Sequence, residues 1–287
     1  MGAMNGLKTA VLLGLLSGLL IVGGRLVAGQ QGMLIALFIA IGMNFFSYFF
    51  AEKIALASSG AVRVSETENP EVFWRLAKIV KPLCDRMGLP MPKLWVIPEQ
   101  APNAFATGRN PAHSSVAVTA GLLELMQDRE IEGVIAHELG HVKNRDILTS
   151  SIAATIASAI TWIAQMAYFF GGRRDDDDDG GSPIATLLMM LLAPLAAALI
   201  QMAISRTREF SADAASAEYT GKPDELVSAL RKLEAYSQRI PMDVSPSMSH
   251  LFIIQPLSGA SLARLFSTHP PTEERIARLL SLERSGA

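Results

Sequence analysis

Two histidines of this 287-residue chain, His137 and His141, lie four positions apart, and Glu138 directly follows the first. On an α-helix, residues with this spacing lie one above the other on a single face, so both imidazoles can bind one zinc ion. Glu138 would then lie beside the metal, where a carboxylate can accept a proton from a zinc-bound water. The three residues therefore predict a zinc site with Glu138 as general base.

The surrounding residues predict that this motif is on a helix. Asp128 can serve as the N-cap, and apolar side chains form a stripe at helical spacing: Ile131, Ile135, Leu139 and Val142. A helix that packs on this stripe would direct the two histidines and the glutamate into one cleft. The alternative is an accidental match on a surface helix, which the regular apolar stripe disfavours.

A catalytic zinc needs a third protein ligand, and Glu209 is the best candidate. The single cysteine, Cys84, excludes a Cys-rich structural site. Glu209 and Asp213 are spaced by four residues on a second helical pattern, so Glu209 can reach the metal while Asp213 accepts a hydrogen bond from a ligand histidine. The alternative is an ordinary solvated helix face, because Arg206 and Arg208 lie close by.

Other acidic and histidine side chains are weaker ligand candidates, because they lie in loops or face away from the motif. Asp146, five positions after His141, lies off the face that carries the two histidines. The others are Glu218, on the far side of the later helix, and the loop residues His113 and His250.

His269 stands apart from these candidates because two prolines, Pro270 and Pro271, follow it at the start of a helix. This entry would hold the imidazole rigidly. We expect His269 to donate a hydrogen bond to the transition state, although a metal ligand or an exposed loop histidine are open alternatives.

Half of the residues are hydrophobic and only 18% are charged, which is too apolar for an ordinary soluble enzyme of this length. Four charge-free runs hold the excess, and three reach the length of about 20 residues that a bilayer core requires. The first reaches it if Lys8 and Arg25 extend to the interface. We predict four transmembrane helices, at about residues 8–28, 32–51, 147–170 and 183–204.

Each predicted hairpin has an alternative. The first run alone could be a signal peptide, but a second span follows directly and no convincing cleavage site separates them. The run that begins at Ile147 is rich in Ala, Ser and Thr, so the second pair could be a buried hairpin of the soluble domain.

Charges beside the spans predict their orientation. Basic residues collect on one side, which the positive-inside rule makes cytoplasmic: Lys8, Lys53, Lys143, Arg145, Arg206 and Arg208. Arg25 and the acidic loop 171–182, with Asp175–Asp179, lie on the other side, and we interpret this loop as a solvated tip. The predicted domains are hairpins at 1–52 and 147–205 and cytosolic segments at 53–146 and 206–287.

The net charge of -2 and the absence of a Gly-rich phosphate loop argue against a nucleic-acid partner. One cysteine fits a reducing compartment. The soluble segments predict an α+β fold, mainly helical, with a helix from Pro70 to about Met87 and short strands at 93–98, 103–108 and 115–119. The zinc helix, about 129–146, runs with almost no break into the third span, and helices follow at 224–237 and 273–285.

The ordered motifs resemble those of the HtpX membrane metalloproteases, which are related to the CAAX prenyl endopeptidases. The resemblance covers nearly the whole chain and is carried by two N-terminal spans, residues 102–108 (PNAFATG), 137–146 (HELGHVKNRD), two further spans, 208–213 (REFSAD) and 268–271 (THPP). It implies a gluzincin-like protease domain with one zinc per chain, bound by His137, His141 and Glu209, and Glu138 as catalytic base. It also implies an edge strand that aligns substrate, formed by Asn103, Ala104, Phe105 and Ala106.

The same resemblance implies a multi-pass protein of the cell inner membrane with its active site in the cytosol. Its substrates would be misfolded membrane proteins or unfolded polypeptides, cleaved in quality control under stress. A prenyl-protein endopeptidase shares such a site, but four spans are few for the intramembrane chamber it would need. A non-enzymatic zinc-bearing adaptor is disfavoured by the intact Glu138, and a metal transporter by the lack of ionisable residues within the spans.

Overall fold

The computed structural model describes residues 2–149, 152, 206–239, 253 and 270–285. Most of the predicted second hairpin, with its acidic loop, lies outside the described residues, as do His250 and His269. Within them the protein is mainly helical with one small mixed sheet, which confirms the predicted α+β class.

The first element, α1 (Gly2–Ser58), reverses direction along its course. Asn44 Nδ2 donates to Ser17 Oγ at 2.9 Å although 27 positions separate the two residues, which a straight helix would place about 40 Å apart. The reversal lies near Gly29, whose φ of 61° is left-handed and costs glycine little. The two arms of α1 therefore run side by side.

One stretch of the described residues, Gly29–Phe46, is long and apolar enough to cross a membrane. Only 12% of it is buried inside the protein, which distinguishes it from the core helix of a soluble domain. Its exposed side chains include Ile35, Phe38 and Phe45. This stretch is therefore a candidate membrane span, and all four predicted spans stay predictions.

Four strands form the sheet in the order β1 (Val62–Val64), β2 (Lys93–Ile97), β4 (His113–Thr119) and β3 (Ala104–Asn110). β2 and β4 are parallel, while β1 and β3 pair antiparallel with their neighbours. The three predicted strands are present, and β1 is an addition that its three residues were too short to reveal. β3 therefore lies at an edge of the sheet.

The sheet connects α1 with the helix that carries the two histidines. On one face, Phe105 and Ala117 pack against Ala55 and Leu56 near the end of α1. On the other face, alternate residues of β3 and β4 join the main core, namely Ala104, Ala106, Val116 and Val118. The metal motif and the N-terminal helix are thus held on opposite faces of one sheet.

Helix α2 (Pro70–Met87) begins with proline after the left-handed Asn69 and ends at the left-handed Gly88, close to its predicted bounds. It packs Leu76, Val80 and Leu83 into the core. A short helix, α3 (Ala120–Leu125), follows β4.

The zinc helix of the prediction is α4 (Asp128–Asn144), and one detail of that prediction was wrong. Gln127, rather than Asp128, is the N-cap, in a capping box with Glu130. The predicted near-absence of a break before Ile147 agrees with the structure, in which Arg145, at φ 60°, is the one residue that interrupts the helix. Residues 146–149 are helical again.

Two helices, α5 (Arg206–Thr220) and α6 (Pro223–Arg239), pack on α4, and α7 (Thr272–Ser285) packs on these two. Glycines on α4 permit the close approach, Gly140 that of α5 and Gly133 that of α6. A Cβ at Gly140 would lie 3.1 Å from Ala212 Cα, and one at Gly133 would lie 2.8 Å from the Leu226 nitrogen. Ser216 Oγ fastens the contact by donating to the Gly133 carbonyl at 2.8 Å.

Candidate metal centre

His137 and His141 project from one face of α4 toward α5, as their spacing predicts. Their ring centroids are 4.8 Å apart, and His137 is almost completely buried. Both Nε2 atoms face the carboxylate of Glu209, at 3.7 Å from His137 to Oε2 and 3.4 Å from His141 to Oε1. The structure therefore brings together the three predicted ligands from two helices.

The arrangement of these three side chains fits a zinc ion. One ligand atom from each lies within 4.8 Å of the others. Ligand atoms at the usual zinc distances in a tetrahedral site are about 3.3 Å apart, so the observed distances need only a small contraction. Two neutral imidazoles and one carboxylate also form a donor set of catalytic zinc enzymes, with a fourth position for water.

Asp213 supports His137 from α5. Asp213 Oδ1 lies 2.9 Å from His137 Nδ1, so it can hold the ring with Nε2 directed at the metal position. Arg275 of α7 donates to both carboxylate oxygens, at 2.7 and 2.9 Å. Burial alone would raise the pKa of Asp213, but Arg275 outweighs this effect and lowers the pKa to about 2. The carboxylate therefore stays ionised at neutral pH.

Asp146 lies next to the second histidine, although the sequence analysis placed it off the histidine face. Its Oδ2 is 3.2 Å from His141 Nδ1. The prediction was wrong because it assumed a continuous helix, whereas the left-handed Arg145 turns the chain. Burial would lower the pKa of His141, but Glu209, Asp146 and Glu138 together raise it to about 9 in the metal-free site.

Glu138 is held by the edge strand. Its Oε2 accepts a hydrogen bond from the Ala106 N–H at 2.8 Å, which places the carboxylate beside the histidines and against β3. Because the Ala106 N–H binds Glu138, it points away from β4. Within this strand Phe105 faces α1, whereas Ala104 and Ala106 are on the face of α4.

Asn103 directly precedes β3 and is buried. Its Oδ1 accepts a hydrogen bond from the Ile253 N–H at 3.2 Å, and Arg275 Nη1 donates to the Ile253 carbonyl at 2.7 Å. The predicted substrate-binding residue Asn103 and the metal-supporting Arg275 thus share one main-chain partner.

Arg275 is the residue at this site that the sequence analysis missed. It is 1% exposed and belongs to the buried stripe of α7 with Ile276 and Leu279. Arginine is almost never fully buried unless it is paired, so an arginine within an apolar stripe of a helix predicts a buried carboxylate partner. The sequence contains this pattern. Arg275 also follows the predicted site residue His269 by six positions.

Apart from Asp146, the weaker ligand candidates that the structure describes, Glu218 and His113, lie away from the centre. Glu218 is exposed on α5. His113 is also exposed, and its Nδ1 lies 3.0 Å from Asn110 Oδ1 at the far end of β3.

A cluster that could hold a metal between two helices, with the carboxylate of Glu138 held against an edge strand, is the arrangement expected of a metallopeptidase. Residues 70–283 match the model of peptidase family M48. The chain therefore belongs to peptidase family M48, a family of zinc-dependent metalloproteases, and the protein is a hydrolase.

Curated relatives match over almost their whole length. A protease HtpX homolog from Desulfatibacillum aliphaticivorans is 55% identical over 279 residues, which cover 96% of this chain and 89% of the relative. A protease HtpX homolog from Thermodesulfovibrio yellowstonii is 54% identical over 284 residues, covering 98% and 99%. These relatives confirm the resemblance to the HtpX proteases.

A solved structure shows a similar fold. The crystal structure of S. mikatae Ste24p aligns with 96% of this chain at a TM-score of 0.51 and 22% identity. The chain spans 62% of the length of that protein. At this identity the likeness concerns the fold alone.

Proposed function

We propose that this protein is a membrane-integrated zinc endopeptidase that hydrolyses peptide bonds of misfolded or damaged membrane proteins. The observation that carries the proposal is the position of Glu138, whose carboxylate lies beside the His137, His141 and Glu209 cluster and against a sheet edge. A group that could bind a metal, a carboxylate base and a sheet edge thus meet at one place.

His137, His141 and Glu209 would hold one zinc per chain, which polarises the scissile carbonyl and acidifies water when bound. Glu138 accepts the proton of the attacking water and delivers it to the leaving amine. The Ala106 N–H keeps this carboxylate oriented toward the cleft. His269 would donate a hydrogen bond to the developing oxyanion.

The substrate would bind along β3 as an added strand. Edge strands recognise extended peptides through main-chain hydrogen bonds, so selection among side chains is weak. Asn103, Ala104, Phe105 and Ala106 would form the platform, with Ala104 and Ala106 on the face toward α4. Such tolerance suits segments that have lost their fold, which is the substrate class of quality control.

This function can be tested with the detergent-purified full chain. We expect about one zinc per chain and degradation of an unfolded model protein. A chelator should abolish the degradation, and added zinc should restore it. Cleavage that survives complete removal of the metal would contradict the proposal. Cleavage confined to a prenylated C-terminal peptide would instead favour the prenyl-endopeptidase function.

We further propose four spans in the cell inner membrane, with both termini and the active site in the cytosol. The exposed apolar surface of Gly29–Phe46 supports insertion of the first hairpin. The six basic residues beside the predicted span ends support the orientation.

Cysteine labelling tests this topology in a Cys84→Ala background. With Asp177→Cys, an impermeant thiol reagent should label intact cells opened only at the outer membrane, because burying Arg173 or the aspartates at mid-bilayer would cost roughly 2.5–3.5 kcal/mol per residue. With Lys222→Cys, an exposed site on the opposite side, labelling should require lysis. Protection of the first site in an active enzyme would place the second hairpin on the cytosolic side.

A further inference from the structure

We propose that Asp146 is a positioning residue of the metal centre, which holds the imidazole of His141 and is itself held by Arg208. The inference rests on the proposed zinc site. It assigns a role in that site to Asp146, which was predicted to lie off the histidine face, and to Arg208, which was predicted only as a basic residue beside a membrane span.

His141 has a carboxylate on each side of its imidazole ring. Asp146 Oδ2 lies 3.2 Å from Nδ1, and Glu209 Oε1 lies 3.4 Å from Nε2 on the opposite side of the ring. A carboxylate that accepts the Nδ1 proton leaves the Nε2 lone pair for the metal and fixes the ring plane. Asp213 makes the equivalent contact with His137 at 2.9 Å, so each histidine has a carboxylate behind it.

The backbone conformation of Arg145 brings Asp146 into contact with His141. Residues five positions apart on a continuous helix differ by about 140° around the axis, so Asp146 could not reach His141 there. Arg145 adopts φ 60°, a left-handed conformation that is unfavourable for a residue other than glycine. The contact between Asp146 and His141 exists because of this strained conformation, as expected where a site retains strain for its geometry.

Arg208 forms a buried ion pair with Asp146. Its Nη1 lies 4.0 Å from Asp146 Oδ1, and the two side chains are 8% and 4% exposed. A buried carboxylate is costly unless a cation is close, so Arg208 stabilises Asp146 at its position behind the imidazole. Arg208 also directly precedes Glu209, so the pair connects the positions of two ligands.

Asp146 and Arg208 lie on either side of the second predicted hairpin in the sequence. Asp146 directly precedes the segment 147–205, and Arg208 follows it by three residues. The pair therefore holds together the two points of the chain between which the segment 147–205 lies. A change in the separation of these points would be transmitted to His141.

Metal affinity of the purified full chain tests the inference, measured by competition between the protein and a chelator for zinc and for Co²⁺. Asp146→Ala should weaken affinity by about 10–100-fold and change the Co²⁺ absorption spectrum. Asp146→Asn, which keeps an acceptor oxygen, should recover part of this loss. Asp128→Ala is the matched control, because it removes a carboxylate paired with an arginine, Arg75, at the other end of α4. It should leave affinity unchanged.

The outcomes separate this inference from the proposed function. A parent protein that binds no zinc would contradict the zinc site itself. A parent that binds zinc while Asp146→Ala binds it equally well would overturn the inference alone. If Asp146→Ala does not fold, Asp146→Asn carries the test, and parental affinity with an unchanged Co²⁺ spectrum then overturns the inference.

A double-mutant cycle tests the part played by Arg208. Arg208→Gln should weaken metal affinity in the parent and have less effect when Asp146 is already alanine, or asparagine if the alanine variant does not fold. Strictly additive effects would overturn the proposed connection between the two side chains.

Discussion

Glu138→Gln should bind zinc as the parent does and lose nearly all proteolysis. Glutamine has the shape of glutamate, and its amide oxygen can still accept the Ala106 N–H that now donates to Oε2 at 2.8 Å. The metal ligands are therefore undisturbed, while the side chain can no longer accept a proton. Loss of a general base lowers the rate by about 10²–10⁴-fold or more. Zinc content and degradation of an unfolded protein measure the two properties separately.

Glu132→Gln is the control for this variant. Glu132 is on the same helix and pairs with Arg86 at 2.7 Å, away from the metal centre. It should retain both zinc and activity. Full proteolysis by Glu138→Gln would exclude Glu138 as the base, and loss of zinc would mean that its carboxylate contributes to metal binding.

The second large effect is expected for Glu209→Ala, which should lose most of its zinc. The variant removes the carboxylate that lies close to both Nε2 atoms, at 3.4 and 3.7 Å, and leaves two of the three proposed protein ligands. Its loss of affinity should exceed the approximately 10–100-fold expected for Asp213→Ala, which removes a partner of His137 but no ligand. Equilibrium competition with a chelator gives both values.

Glu218→Ala is the matched control for Glu209→Ala, because Glu218 is an exposed glutamate on the same helix. It should bind zinc with parental affinity. Parental affinity in Glu209→Ala would place the third ligand elsewhere.

Asp213→Ala also leaves Arg275 buried without its carboxylate, so we expect it to lower the free energy of unfolding by about 3–5 kcal/mol. Asp213→Asn should lower the free energy of unfolding by less than Asp213→Ala does.

The metal site could be predicted to the extent that its geometry is local. The spacing of His137 and His141 determines their common face, because four residues are close to one turn of any helix. Glu209 needed one further step, in which the ligand number of zinc and the single cysteine restricted the choice. Its approach to α4 depends on Gly140, whose role becomes clear only when α5 is in place.

Contacts at helix ends, where the chain turns, could not be predicted from residue spacing. Asp146 was set aside because a helical period was extended through Arg145, a residue whose left-handed conformation no simple sequence rule indicates. The N-cap was placed one residue late, at Asp128, because the capping box of Gln127 and Glu130 is less usual than an acidic cap. Both errors lie at helix ends, where local sequence preference is weak and neighbouring elements decide.

What the sequence by itself determined is the chemistry: two imidazoles and a base on one helical face, a carboxylate ligand on another, and apolar runs that indicate a membrane. Tertiary structure alone decided which groups orient these side chains. Arg275 reaches Asp213 from 62 residues away, and the Ala106 N–H reaches Glu138 from 32 residues away. Such pairs form because burial makes an unpaired charge or donor costly, and folding settles which partner is near.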